Sequence, residues 1–273
     1  MKASVNKTCL IGPALKEEQF IAEHLFFYLK KGIMSGYSSG KNYTLQAGEY
    51  GITRKNRLSR QDPSKATDEV EKIIFVFDES FLMTFQQKHQ RMATPFNLED
   101  SFLRLSGNEL IPSFIRSLTP YYNEQGQLET AFFDVKREEL LLILLQLQPE
   151  LAGLFFDYGV PQKIDLEAFM NRNYRFNVHI DRFAYLTGRS LSAFKRDFHT
   201  LFNETPSRWL LRKRLEDAYH LLDKRSKKPS DIYLDLGFET LSHFSVSFKK
   251  QFGLNPTDLI ELRNKLPTKV AEI

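Results

Sequence analysis

The amino-acid sequence predicts an α+β protein of two domains. A strand-rich N-terminal half with trailing helices, residues 1–157, precedes an all-α C-terminal part, residues 158–273, in which two helix-turn-helix units are joined by a linker helix. Three observations carry this expectation. A motif recurs at constant offset in the last third, runs of β-branched and aromatic residues broken by glycine fill residues 20–78, and Asp157-Tyr158-Gly159-Val160-Pro161 forms a Gly/Pro break between them.

The repeat is the most informative of the three. Leu186, Leu191, Ser192, Phe194, Phe198, Phe202 and Pro206 return as Leu236, Leu241, Ser242, Phe244, Phe248, Phe252 and Pro256, each 50 residues later. A fixed offset of this kind marks two copies of one supersecondary unit. Leu191, Phe194, Phe198 and Phe202 fall at helical spacing, one apolar stripe directed at the protein interior. Ser190 stands where a hydroxyl caps the helix, Thr187-Gly188-Arg189 makes a turn, and Ile180, Phe183, Ala184 and Leu186 form a shorter helix upstream. The second copy runs through Ile232, Leu234 and Leu236, turns at Gly237, and is capped by Thr240. Between them, Ser207 to Leu222 reads as one helix, roughly 24 Å long at 1.5 Å per residue. Two units held that far apart suit successive major grooves of DNA, about 34 Å per turn. A plain helical bundle is the alternative at this point.

The ordered set of residues from Ile164 to Leu262 resembles the AraC/XylS family of bacterial transcription regulators. It rests on Phe183-Ala184, Ser190, Phe194 and Phe198, on Arg214-Leu215, Ala218 and Leu221-Leu222, and on Ile232, Gly237-Phe238, Phe244, Phe248-Lys249-Lys250, Phe252-Gly253 and Pro256. Tyr233 departs from the small residue usual in the family, which predicts different packing for the first helix of the second unit. Val246 replaces a commonly basic position, and Leu259-Ile260 replaces an aromatic-Arg pair.

The resemblance implies double-stranded promoter DNA as a partner, RNA polymerase as a second, and activation as the commoner outcome. The face of each recognition helix opposite the apolar stripe is the one a groove meets. For base contacts it presents Ser192, Lys195 and Arg196, with His199 alongside, and in the second unit Ser242, His243 and Val246, with Ser245 between. Arg or Lys donates to guanine O6 and N7, whereas Ser, His and Val read by single hydrogen bonds or a thymine methyl. Phosphate contacts are expected from Ser190 and Thr240 at helix N-termini, and from Arg208, Arg212, Lys249 and Lys250. For each side chain the alternative is an ordinary solvated surface group. Charge agrees: from Val160 onward 20 Lys+Arg face 14 Asp+Glu, while the preceding part carries 18 against 20. That asymmetry is the one expected of a single basic DNA-binding module.

In the N-terminal half, strands are expected around Phe26-Phe27-Tyr28-Leu29, Tyr43-Thr44-Leu45, Tyr50-Gly51-Ile52-Thr53 and Ile73-Ile74-Phe75-Val76-Phe77, with Gly32, Gly36 and Gly40 at turns. Arg54, Lys55, Arg57 and Arg60 read as a solvated loop, with an anion site as the alternative. The resemblance implies a cupin-like β-barrel here, controlled by a small-molecule or protein effector. Helices are expected at 80–89, 109–122 and 130–147. The last holds Leu140-Leu141-Leu142-Ile143-Leu144-Leu145 after a lead-in where Lys136, Arg137, Glu138 and Glu139 separate apolar residues; the resemblance implies a homodimer through it, and burial within one subunit is the alternative.

A metal-dependent enzyme on a cupin scaffold needs convergent histidines, and this half offers only His24 and His89. No catalytic residue, cofactor or metal is expected. A non-specific DNA-architectural protein is the other alternative to a regulator. Six apolar residues cannot cross a bilayer, which takes about 20. Met1 to Leu15 lacks a secretory pattern and Cys9 is the lone cysteine, so a cytoplasmic location without a membrane partner is expected.

Overall fold

The computed structural model describes residues 5–13, 15, 19–38, 40–62, 67, 69–92, 102–105, 107–224 and 227–265. Its chain divides into two compact units, residues 1–160 and 161–273.

The first unit contains strands β1 (Val5–Ile11), β2 (Phe20–Ile21), β3 (His24–Lys31), β4 (Ile33–Ser38), β5 (Lys41–Gln46), β6 (Tyr50–Thr53), β7 (Arg57–Gln61), β8 (Glu69–Phe77) and β9 (Phe102–Arg104). They form two sheets, of order β1-β8-β3-β6-β9 and β2-β7-β4-β5. β1 lies parallel to β8, and the remaining pairings are antiparallel. Each sheet keeps two edges, so no closed cupin-like barrel forms among the described residues. The four expected strand runs lie within β3, β5, β6 and β8.

Gly32 and Gly40 do sit at turns with positive φ. Gly36 does not: it is inside β4, where an added Cβ would come 2.4 Å from the Tyr43 hydroxyl. The glycine is there because the Tyr43 side chain crosses its face. The basic segment is not a solvated loop either. Arg57 and Arg60 belong to β7, the Arg60 guanidinium lies 5.1 Å over the Tyr37 ring, Arg54 pairs with Asp157 at 3.0 Å, and Lys55 is buried with its ammonium 3.4 Å from Glu79.

Helices α1 (Glu79–His89), α2 (Leu110–Ser117), α3 (Phe133–Leu147) and the short α4 (Ala152–Phe155) cover the first sheet. α2 stops earlier than the sequence pattern suggests, because Pro120 has no N–H to continue the ladder and the chain passes into a 3-10 turn at Thr119–Tyr121. α3 buries one face within its own unit: Leu140, Leu141, Leu144 and Leu145 join Ile11, Phe26, Phe75 and Phe77 in the main core. Lys136 and Arg137 in its charged lead-in are buried as well. Arg137 pairs with Asp78 and, at 2.9 Å, with Asp134, and its guanidinium lies 3.9 Å over Phe81; Lys136 reaches Glu139 at 2.8 Å and lies 4.7 Å over Tyr121. Ion pairs and ring faces supply what water would otherwise provide.

His24 is buried, with Nδ1 accepting from the Lys55 N–H at 3.4 Å and its ring 5.5 Å from Phe155. Burial, followed by repulsion from Lys55 and Arg54, pushes its pKa down to about 3.

The second unit holds α5 (Leu166–Asn173), α6 (Ile180–Leu186), α7 (Leu191–Phe202), α8 (Pro206–Lys224), α9 (Pro229–Ile232), α10 (Leu241–Phe252) and α11 (Pro256–Lys265). The repeat is visible in the packing. Phe194–Phe198 and Phe198–Phe202 centroids are 5.6 and 4.4 Å apart in α7, and Phe244–Phe248 and Phe248–Phe252 are 5.8 and 4.7 Å apart in α10. α8 serves both cores. Trp209 in its first half packs on Phe198 and Phe202, while Leu215, Ala218 and Leu222 in its second half join Phe244 and Phe248.

Two expectations for the repeat need correction. Leu191 and Leu241 are exposed rather than buried, because each stands at the first turn, before its helix reaches the core. The helix expected through Leu236 ends at Ile232, and residues 233–237 form turns. The half-buried Tyr233 packs against the second core. The turn glycines also differ by one place: Gly188 and Gly237 both have positive φ, but Gly237 stands at the position of Thr187, and the place of Gly188 is taken by Phe238, which packs 5.1 Å from Phe244.

Two predictions follow from these contacts. Gly237→Ala should destabilise the second unit by about 2 kcal/mol or more, combining the cost of left-handed backbone with a Cβ placed 2.5 Å from the Arg175 carbonyl. Gly253→Ala, equally positive in φ but with nothing within 4 Å, should cost only about 1 kcal/mol in the same denaturation series. For His24, the unfolded chain binds the proton that the folded one refuses. Stability of the first unit should therefore fall by about 1.4 kcal/mol per pH unit as pH drops from 6.5 towards 3. His24→Leu should flatten that slope in urea titrations at several pH values, and an unchanged slope would remove His24 as its source.

Candidate nucleic-acid interface

The two helices expected to meet DNA are both capped at their N-termini. Ser190 Oγ accepts from Ala193 N at 3.3 Å, and Thr240 Oγ1 accepts from His243 N at 3.1 Å. These caps leave other N-terminal amide groups of α7 and α10 without helical partners, the feature that suits phosphate oxygens.

On α7, buried Phe194 and Phe198 fix one face, so Ser192, Lys195, Arg196 and His199 all stand exposed on the other. On α10 the same geometry exposes Ser242, His243 and Val246, with Ser245 half-buried and donating back to the Leu241 carbonyl at 2.9 Å. His243 packs 5.7 Å from Phe238. Among the residues expected at bases, the first helix therefore offers two cations, Lys195 and Arg196, and the second none. Lys249 and Lys250 are exposed in the last turn of α10, beyond the base-facing residues.

Arg208 and Arg212, expected at phosphates, are placed differently from one another. Arg208 is highly exposed and reaches Glu204 at 3.4 Å, whereas Arg212 is half-buried and holds Glu204 at 3.1 Å and Glu216 at 2.7 Å. These carboxylates, Glu216 first, raise the guanidinium's affinity for its proton. Arg212 thus ties the end of α7 to α8.

Three further groups shape the surface: Arg189 and Arg214, read from sequence only as a turn residue and as part of the family motif, and Asp197, which was not named there. Arg189, immediately before the α7 cap, has a buried side chain that donates to the Ile164 carbonyl at 2.9 Å, the Thr187 carbonyl at 2.7 Å and Asp197 at 3.2 Å. Asp197 also accepts from Arg196 at 3.2 Å, and Arg189 foremost holds its carboxyl below the usual range. Arg214 donates to the carbonyls of Tyr174 at 2.7 Å, Gly237 at 2.9 Å and Phe176 at 2.8 Å, and burial pushes its pKa down to about 10. A charge standing alone at a turn or inside a basic run was the available signal for each. Nearby, Asp217 accepts from the Tyr174 hydroxyl and from Arg175 Nε at 2.8 Å. Among the described residues no group of three or more His, Cys, Asp or Glu comes together as a metal site, and no helix is long and apolar enough to cross a membrane.

Comparison with known proteins covers both units. A helix-turn-helix domain model matches residues 183–261, and the ExsA N-terminal regulatory domain matches residues 24–154. The thermoregulatory protein LcrF of Yersinia pestis is 25% identical over 254 residues, spanning 90% of this chain and 92% of that one. The chain belongs to the AraC/XylS family. Like other AraC/XylS members it is a DNA-binding transcription regulator with an N-terminal regulatory domain. The virulence regulon transcriptional activator VirF of Yersinia enterocolitica is 24% identical over 239 residues, 85% of this chain and 86% of that one. The HTH-type regulator ExsA of Pseudomonas aeruginosa is 28% identical over 92 residues, about a third of each AraC/XylS chain.

Proposed function

We propose that this protein is a sequence-specific activator whose helices α7 and α10 occupy successive major grooves, with α7 carrying more of the charged base readout. The observation that supports this reading most is the contrast between exposed Lys195 and Arg196 on α7 and exposed Ser242, His243 and Val246 on α10. Ser192 adds a short reader near the start of α7. Ser190, Thr240, Arg208, Lys249 and Lys250 hold phosphates; Arg212, engaged by Glu204 and Glu216, contributes mainly by fixing the join of α7 and α8.

Residues 1–157 form the regulatory and dimerisation domain in this reading and 158–273 the DNA-binding one. The two sheets then stand as an opened relative of the cupin-like barrel. A signal, from a small molecule or a protein, acts on the first domain and changes DNA affinity or homodimerisation. A cavity of about 230 Å³ lined by Tyr50, Leu105, Ile111, Leu144 and Leu151 offers a small molecule direct purchase on α3. The activated protein engages RNA polymerase at the promoter, in the cytoplasm, without enzymatic chemistry.

Binding to promoter and scrambled DNA across a salt series tests specificity. A regulator should prefer its site by about a thousandfold or more at fixed salt, and equal affinities would leave only a non-specific binder. Arg196→Ala should cost about 1–3 kcal/mol on the specific site and relax preference at one base pair. A uniform loss on all sequences would put Arg196 on phosphate. Lys249→Ala should weaken both DNAs alike and reduce the salt slope by about 0.9.

A further inference from the structure

An acidic side chain on the DNA-facing helix of a DNA-binding protein works against phosphate attraction. Asp197 is one, and its surroundings hold it in place. Arg189, with only 8% of its side chain exposed, donates from Nε to Asp197 Oδ2 at 3.2 Å while its Nη1 is held by the Ile164 and Thr187 carbonyls. The other carboxylate oxygen, Oδ1, accepts from Nη2 of Arg196 at 3.2 Å, although the Arg196 side chain is 76% exposed. Lys163 Nζ stands 3.9 Å from Oδ2.

Consecutive helix residues project about 100° apart and do not normally face each other. The Arg196–Asp197 pair therefore requires the arginine to lie along the helix surface towards an acceptor fixed from its far side. An exposed arginine otherwise samples many rotamers, and ordering them on binding weakens recognition. With one η nitrogen given to Asp197, further N–H groups of the guanidinium remain for a base edge. The second unit lacks the whole device. At the same offset of 50 residues, Arg189, Arg196 and Asp197 correspond to Glu239, Val246 and Ser247, and Glu239 is exposed and accepts from Asn177 at 3.1 Å.

We propose that Asp197 is a positioning residue that presents Arg196 to a guanine, anchored in turn by buried Arg189. The inference rests on α7 being a base-reading helix. Asp197 gives up some general attraction for DNA in return for a pre-set arginine, so its removal separates specificity from affinity.

The test uses the full-length protein, bound at fixed salt to its site, to that site with single base-pair substitutions, and to scrambled DNA. Wild type, Arg196→Ala, Asp197→Asn and the double variant are compared, with thermal melting of each. Asp197→Asn should lower discrimination at the base pair that Arg196 reads by on the order of fivefold to tenfold, leave other positions unchanged, and bind scrambled DNA more tightly than wild type. In the Arg196→Ala background it should change discrimination no further. If Asp197→Asn lowers the melting temperature strongly, Asp197→Ser, the residue type the second unit carries there, provides the same comparison. The proposal is overturned if Arg196→Ala relaxes one position while Asp197→Asn and Asp197→Ser leave it intact, or if their loss spreads evenly over all positions. Should Arg196→Ala itself relax no position, the base-reading role of α7 falls and the positioning role with it.

Discussion

A guanidinium withdrawn from water must find acceptors for its N–H groups, and at Arg214 these are three backbone carbonyls, of Tyr174, Phe176 and Gly237. No carboxylate is among them. Charge-assisted hydrogen bonds of this kind are worth about 1.5–3 kcal/mol each. The carbonyls come from the segment after α5 and from the turn before α10, while Arg214 itself sits midway along α8. One side chain thus joins the lead-in to the first helix-turn-helix, the linker helix and the turn of the second. Gly237 is bound into the same contact, since an added Cβ would stand 2.9 Å from the guanidinium carbon. The relative placement of α7 and α10 depends on this junction, with Trp209 on one side of it and Leu215, Ala218 and Leu222 on the other.

The acidic residues around this frame take up several of the arginines of a net positive module. Glu204 and Glu216 hold Arg212, Asp217 holds Arg175, and Asp197 holds Arg189. These arginines are structural in their present contacts. Of the exposed cations, Lys195, Arg196, Arg208, Lys249 and Lys250 lie on or beside the two recognition helices, while Lys163, Arg172, Lys227 and Lys228 stand exposed elsewhere on the unit. Part of the module's charge is thus consumed to fix its geometry, and part is presented where a groove or a phosphate is expected.

Much of the second unit was legible in the sequence because its repeat reports burial directly: a phenylalanine every third or fourth place has one apolar face to hide. The caps at Ser190 and Thr240 were legible for the same local reason. What sequence did not reveal were interactions between distant segments. Arg214 is named from sequence only as part of the family motif, and its three carbonyl partners, 23 to 40 residues away, are seen only in the structure. Leu191 and Leu241 obey helical periodicity yet stand outside the core, since periodicity does not say how far a core extends. In the first unit the apolar strand runs were found. β1, β2, β4, β7 and β9 escaped notice, either because they are too short to show alternation or because they carry glycine, lysine and arginine at paired positions. Two sheets in place of a closed barrel is likewise a matter of which edges meet, and local sequence is silent on that.

In the proposed reading, two units built alike do not read alike. Its most direct test is a systematic base-substitution series across the bound site, measuring equilibrium affinity at constant salt for every single base-pair change. The large losses, about 1–3 kcal/mol each, should concentrate at guanines in the half met by α7, and the half met by α10 should respond weakly. Equal losses in both halves, or the larger losses under α10, would contradict it.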